Sequence, residues 1–302
     1  MVISMKVKKW MPVTAVLAIV ILLLLRPQEA AEAVRVGLAL CGRTVIPSLF
    51  PFFAAISLLL QLGAAEALSG LFRPVMQPLF RLRGECALPL LAGFLGGYPS
   101  GAKTAAGLYA QGRISRQEAE LLLGFCDNCG PAFLLSYVGA GILGGTELGV
   151  KLYLIHIAAA LLTGVLLCRL VGDRGPALLG SSLPVKAVSF PQALTSSVSG
   201  ALTSTLGICA FVVFFQVLAA LPPVPLPPLA LGALEMVSGV AALSPGRAGF
   251  VAAAAIVGWG GLSVHCQAMS LTAPEGLSFR WHWVGKAVQA AVSAGLAFLA
   301  AG

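Results

Sequence analysis

Residues 93–103 read GFLGGYPSGAK, and residues 258–267 read GWGGLSVHCQ. Each is a glycine-rich interruption of an apolar stretch, and how the two are read decides the fold. Glycine weakens a helix, and proline removes a backbone donor and clashes with the preceding turn. A helix is therefore expected to break near Gly96-Gly97 and again near Gly260-Gly261. In water such a break costs little. In hydrocarbon each unpaired N–H or C=O costs several kcal/mol, so broken backbone survives only inside protein or beside a watery cavity. There it can bind a ligand, with helix N-termini favouring anionic groups.

The rest of the chain makes the bilayer the relevant solvent. Of its 302 residues, 58% are apolar and 10% are Asp, Glu, Lys or Arg, where a soluble domain carries about 25% charged residues. Mean hydropathy is +0.95. This excludes a disordered chain, and seven Cys in 302 residues exclude a small disulfide scaffold. The net charge of +8 reads as positive-inside bias and attraction to anionic lipid. The basic residues are scattered, so nucleic acid is not an expected partner.

A span needs about 20 apolar residues. Trp10–Leu25, behind Lys6, Lys8 and Lys9, reads as an uncleaved signal anchor, the alternative being a cleaved signal peptide. Thr44–Ala65 is long enough to cross. Phe72, Val75, Met76, Leu79 and Phe80 recur at helical spacing in the loop that carries Arg73, Arg81 and Arg83, which suggests a short interfacial helix. Cys86–Ala102 is the first interrupted segment. Asn128–Thr146 and Leu152–Cys168 follow. After a polar linker, Ala187–Leu234 contains no Asp, Glu, Lys or Arg and is divided by the prolines of 222–228. Ala248–Pro274 is the second interrupted segment, and the last span runs from Val284 to Ala300 behind Trp281 and Trp283. The expected fold is all-α: a polytopic helical membrane protein with about six full spans and two broken or re-entrant segments. Residues 1–36 form the anchor and connector, 37–171 a first membrane half, 172–190 a linker and 191–302 a second half. Arg81, Arg83, Arg113 and Arg116 place their loops inside and the uncharged proline loop outside, with both termini cytoplasmic. Arg26, Arg35 and Arg43 fall outside in this scheme, against the rule.

An ungapped overlay of the two halves sets Gly96-Gly97 on Gly260-Gly261 and Lys103 on Gln267. With the first loop inside and the matching proline loop outside, the repeat is inverted. Paired interrupted segments in two such halves point to a midplane site in secondary transporters.

The candidate site residues follow from the breaks. Ser100 is expected to cap the helix that starts beside it, with Lys103 one turn in, either facing an anion or snorkelling to the interface. Ser100 and Lys103 also fit S-x-x-K, but the partner motifs of acyl-transferring serine enzymes are missing, and no enzyme activity is expected. Ser115 and Glu118 fit a capping box. The stretch FCDNCGPAF (residues 125–133) puts Asp127 and Asn128 at a further break, where an ionisable group at membrane depth is a functional candidate. Cys126 and Cys129 have C-x-x-C spacing, but with no second Cys/His pair they read as small fillers, and no metal or cofactor is expected. Glu235, in the apolar run Leu229–Leu243, could carry a proton or pair with Lys103 or His265. His265 follows Gly260, Gly261 and Ser263 and could bind ligand or proton, whereas His156 reads as structural. One half-site would then be Gly96, Gly97, Ser100 and Lys103. The other would be Gly260, Gly261, Ser263, His265 and Gln267.

GFLGGYPSGAK, FCDNCGPAF and GWGGLSVHCQ, in this order and at these separations, resemble the YlbJ-type sporulation integral membrane proteins, which carry nucleoside-recognition (Gate) domains. The resemblance covers roughly residues 37–300. It implies a multi-pass protein of the bacterial cytoplasmic membrane with a role in spore formation, dipicolinate accumulation being one process. It also implies kinship in fold with nucleoside transporters, though fold does not fix function. The leading expectation is a transporter-like protein that moves or gates a small polar or anionic metabolite, of the nucleoside or dipicolinate class. The alternative is a non-transporting scaffold in spore formation. Expected partners are the lipid bilayer, the metabolite, and a second copy or other sporulation membrane proteins.

Overall fold

The computed structural model describes residues 2–171 and 189–301, and every regular element among them is helical. The expected linker therefore lies outside the described residues except for positions 189 and 190. In chain order the helices are α1 (Val2–Leu25), α2 (Pro27–Leu40), α3 (Ile46–Gln61), α4 (Ala64–Phe80), α5 (Ala87–Gly96), α6 (Ser100–Ala110), α7 (Arg116–Leu122) and α8 (Thr146–Leu170), then α9 (Phe190–Ala220), α10 (Pro228–Leu234), α11 (Met236–Ala241), α12 (Arg247–Trp259), α13 (Gly261–Thr272) and α14 (Arg280–Ala300). A π-helix, Phe133–Leu143, precedes α8, and a π turn, Cys41–Val45, joins α2 to α3.

Four segments among the described residues are long and apolar enough to cross a membrane: Thr146–Leu170, Phe190–Ala220, Arg247–Glu275 and Arg280–Ala300. A fifth arises if Pro12–Leu25 and Pro27–Arg43, bent by 99°, act as one span. Two of the expected spans form shorter helices than their apolar stretches. The Thr44–Ala65 stretch gives a 16-residue helix, because left-handed Gly63 (φ +86°) ends α3. Asn128–Thr146 gives an 11-residue π-helix after a non-helical start. The expected interfacial helix is longer, α4, with Met76 and Phe80 buried and Leu71, Val75 and Leu79 exposed.

Spans here are polar or small inside and apolar outside, as lipid requires. On α9, Ser197, Ala201 and Thr205 are buried at four-residue spacing, while Leu194, Leu202 and Leu206 face outward. On α8, Gly164 lies against the Phe125 ring and Leu162 and Leu166 face outward.

Polar contacts gather at two opposite ends of the bundle. At one end Arg83 pairs with Glu118 (3.3 Å) and donates to Arg113 O (3.2 Å). Arg169 there reaches Pro78 O at 3.5 Å, Arg116 donates to Gly276 O, and Ser278 N donates to Glu120 (2.9 Å). At the other end Arg26 donates to Leu221 O (2.9 Å) and Pro222 O (2.8 Å), Arg247 to Phe298 O (3.3 Å), and Lys151 to Ala300 O. Since α8 and α14 each run from one set to the other and are long and apolar enough to cross a membrane, the two sets lie at opposite faces of the bundle. The pair α5/α6 starts and ends at the first face, next to Arg83 and Arg113. The pair α10/α11 starts and ends at the second, next to Pro222 and Arg247.

Candidate functional site

Four helix breaks meet between these faces. α5 stops at Gly96, Gly97 takes φ +81°, a cis Tyr98-Pro99 bond follows, and α6 starts at Ser100. The Gly97 Cα lies so close to the 123–130 segment that an added Cβ would be 3.1 Å from Gly130 N. Tyr98 Oη donates to Val257 O (2.9 Å) in the last turn of α12. Beyond that turn, Gly260 (φ +92°) and Gly261 (φ +80°) break α12 from α13, in a conformation that only glycine takes without strain. A Cβ on Gly261 would sit 3.0 Å from Met236 N, at the α10/α11 break. Both GG motifs thus form breaks, as expected, and each break leans on another.

Asp127 and Asn128 sit in the non-helical stretch after α7, both fully buried. Asp127 Oδ1 accepts from Ala102 N (3.3 Å) in the first turn of α6. This corrects the expectation for Ser100. Its hydroxyl caps nothing and has no partner, although the residue is buried. The free amides of α6 are met instead from another element, by a carboxylate well placed for the helix dipole.

The charge that faces this break is Lys286 of α14, which the sequence reading left inside an ordinary span. It is fully buried. Its Nζ donates to Asp127 O (2.7 Å) and Gln289 Oε1 (2.7 Å) and lies 4.8 Å from the Tyr98 ring centroid. Gln289 Nε2 then donates to Asn128 Oδ1 (2.8 Å), and Asn128 Nδ2 to Phe125 O (2.8 Å). The signal was legible: His282, Lys286, Gln289 and Ser293 recur every three or four residues, one polar stripe on an apolar helix.

The histidines complete the cluster. His282 Nδ1 lies 3.0 Å from Leu123 O, and its Nε2 2.8 Å from His265 Nδ1. A carbonyl only accepts, so His282 donates through Nδ1. With both rings neutral, His265 Nδ1 donates to His282 Nε2, which leaves His265 Nε2 as a buried acceptor beside the Trp259 and Trp283 rings, with no partner. His156 accepts from Cys129 N (3.0 Å), the structural role expected for it.

Other candidates lie elsewhere. Lys103 is half-buried, donates to Ser204 Oγ (2.9 Å) and lies 4.2 Å from the Phe53 ring centroid. It lines a cavity of about 250 Å³ between α3 and α6, with Phe53, Ser57, Gln61, Ser100 and Gln111. Glu235 does not pair with Lys103 or His265. It sits at the α10/α11 break, not within a helix, and accepts from Val237 N (3.1 Å), Ser238 N (2.7 Å) and Gln216 Nε2 (3.0 Å). Gln267 donates to Ser263 Oγ within α13 (3.1 Å), and Gly96 packs on the Phe52 ring. Cys126 and Cys129 are buried and free.

Residues 43–168 match the Gate family model, described as nucleoside recognition. Over 139 residues the chain is 36% identical to the sporulation integral membrane protein YlbJ of Bacillus subtilis (strain 168), a stretch covering 46% of this chain and 34% of that protein. This chain therefore matches only about a third of that relative's length. No solved structure matches. The α5/α6 break and the Asp127-Asn128 break both fall inside the matched region, whereas the α12/α13 break falls in the second half, beyond it. The chain is a multi-pass helical membrane protein whose residues 43–168 match the Gate (nucleoside recognition) family model and which is similar, over 139 residues, to the sporulation integral membrane protein YlbJ of Bacillus subtilis.

Proposed function

We propose that this protein is transporter-like and moves or gates a small polar or anionic metabolite in spore formation, the nucleoside and dipicolinate classes being the candidates. One observation carries the reading: two broken helix pairs enter from opposite faces, and the breaks around them lean on one another at a buried polar cluster. Broken helices meeting at membrane depth, one from each side, are what inverted-repeat transporters use to build a site. The cavity beside Lys103 supplies a cation and hydroxyls for an anionic solute. The Gate match supports the same reading.

The test is uptake into proteoliposomes of a panel of nucleosides and dipicolinate, with and without a proton gradient. Uptake of one class, reduced at least tenfold by Lys103→Ala or His265→Ala in protein of normal yield, supports transport. A scaffold is the second reading, favoured by the tight packing of glycines on backbone: Gly93 and Gly101 on Cys126 O, and Gly285 on Gly124 O. It predicts no uptake, and undiminished sporulation with both variants.

A further inference from the structure

The Lys286 ammonium occupies a place built like a cation site. A backbone carbonyl and an amide oxygen each stand 2.7 Å from Nζ, and an aromatic face closes a third side at 4.8 Å. The carboxylate of Asp127 lies within its electrostatic reach, and no carboxylate forms a direct ion pair with Lys286 among the described residues. Carbonyl and amide oxygens are the ligands that hard monovalent cations take in place of water. The oxygens come from the Asp127 break and α14, and the ring from the α5/α6 break. The charge therefore ties three elements together at the point where backbone leaves the helix.

We propose that Lys286 is a tethered cation: its ammonium does at the Asp127 break what a dissociable monovalent cation would otherwise have to do. The folded protein then needs neither Na⁺ nor K⁺, and this holds whether or not it carries a solute. Removing the side chain back to Cβ leaves a site that accepts an alkylammonium and rejects its neutral isostere.

Thermal unfolding of the purified chain in detergent, followed by tryptophan fluorescence, tests this. The wild-type midpoint should be the same in sodium, potassium and choline chloride at equal ionic strength. Lys286→Ala should unfold roughly 5–10 °C lower and regain at least half of that with propylammonium, which replaces the atoms removed, but not with propanol. Lys286→Met, which keeps the volume and drops the charge, should also fall, since it leaves the buried Asp127 O and Gln289 Oε1 without their donor. The proposal is overturned by a wild-type midpoint higher in sodium or potassium than in choline. It is equally overturned by propanol restoring Lys286→Ala as well as propylammonium, by neither restoring it, or by Lys286→Met matching wild type. Should Lys286→Ala not yield folded protein, the wild-type and Met arms decide.

Discussion

A hydrogen atom is all the fold admits at Gly101. A Cβ there would overlap the carbonyl of Cys126, and one at Gly93 would overlap the same oxygen. The obstacle is backbone, which cannot swing aside, so Gly101→Ala should cost about 1–3 kcal/mol as overpacking. Gly200, on the outer side of α9 with nothing near it, is the control. Gly200→Ala should lose nothing, since alanine is the better helix former by up to about 1 kcal/mol. Thermal unfolding in detergent compares the pair, and equal midpoints would sink the packing argument. Asp127 gives a second contrast. Asp127→Asn keeps an oxygen for Ala102 N, whereas Asp127→Ala removes it, so Ala should be the worse by about 0.5–2 kcal/mol, the usual value of a cap. The sequence shows which glycines cluster but not what they touch, because the Cys126 carbonyl is distant in chain. Lys286 stands in plain view inside the last apolar span, but its partners, the Asp127 carbonyl and the Tyr98 ring, are distant in chain.

Caps show the same divide at the scale of elements. The Ser115–Glu118 capping box forms as read, with Ser115 Oγ accepting from Glu118 N and Glu118 accepting from Ser115 N. It is legible because both partners lie within one turn. Ser100 matched the same local preference and failed, since a carboxylate from another element reached the amides of α6 first. Glu235 fits a helical run by composition, but Gln216 and two amides of α11 converge on it, and the chain breaks there. Glu235→Ala would leave the buried Gln216 amide and the first amides of α11 without an acceptor. We expect a loss of about 1–3 kcal/mol, against about 1 kcal/mol for Ser115→Ala. Chemical denaturation of both variants in detergent checks the order, and a milder effect at Glu235 would mean that other groups fill its role.

For the whole molecule, the contacts at the two ends suggest a parity that differs from the one counted from basic residues. Arg83, Arg113, Arg116 and Arg169 gather at one end, which the positive-inside rule favours as the cytoplasmic one. The turn at Gly276–Ser278 is tied to that end through Arg116 and Glu120. From there α14 crosses once, and its last turn meets Arg247 and Lys151 at the opposite end. On that parity the end of α14 is expected on the side opposite Arg116, whereas the basic-residue count expects it in the cytoplasm, and labelling and fusions decide between the two. The two expectations differ by one crossing: the glycine break suggests that 258–267 belongs to a segment that dips and returns, whereas Arg247–Glu275 has the length and composition to pass through. The same parity groups 222–228 with the end of α1, where Arg26 donates to Leu221 O and Pro222 O, and expects both outside, as the lack of charge in 222–228 also does. Two measurements test it. A membrane-impermeant maleimide should label Val224→Cys in intact cells, since Val224 is 70% exposed and the native thiols are buried or half-buried. Alkaline phosphatase fused after residue 302 should be active, and a fluorescent protein that matures only in the cytoplasm should stay dark there. A bright C-terminal fusion with a labelled Val224→Cys would mean that the 247–275 segment turns back, and the opposed entry of the two helix pairs would have to be redrawn.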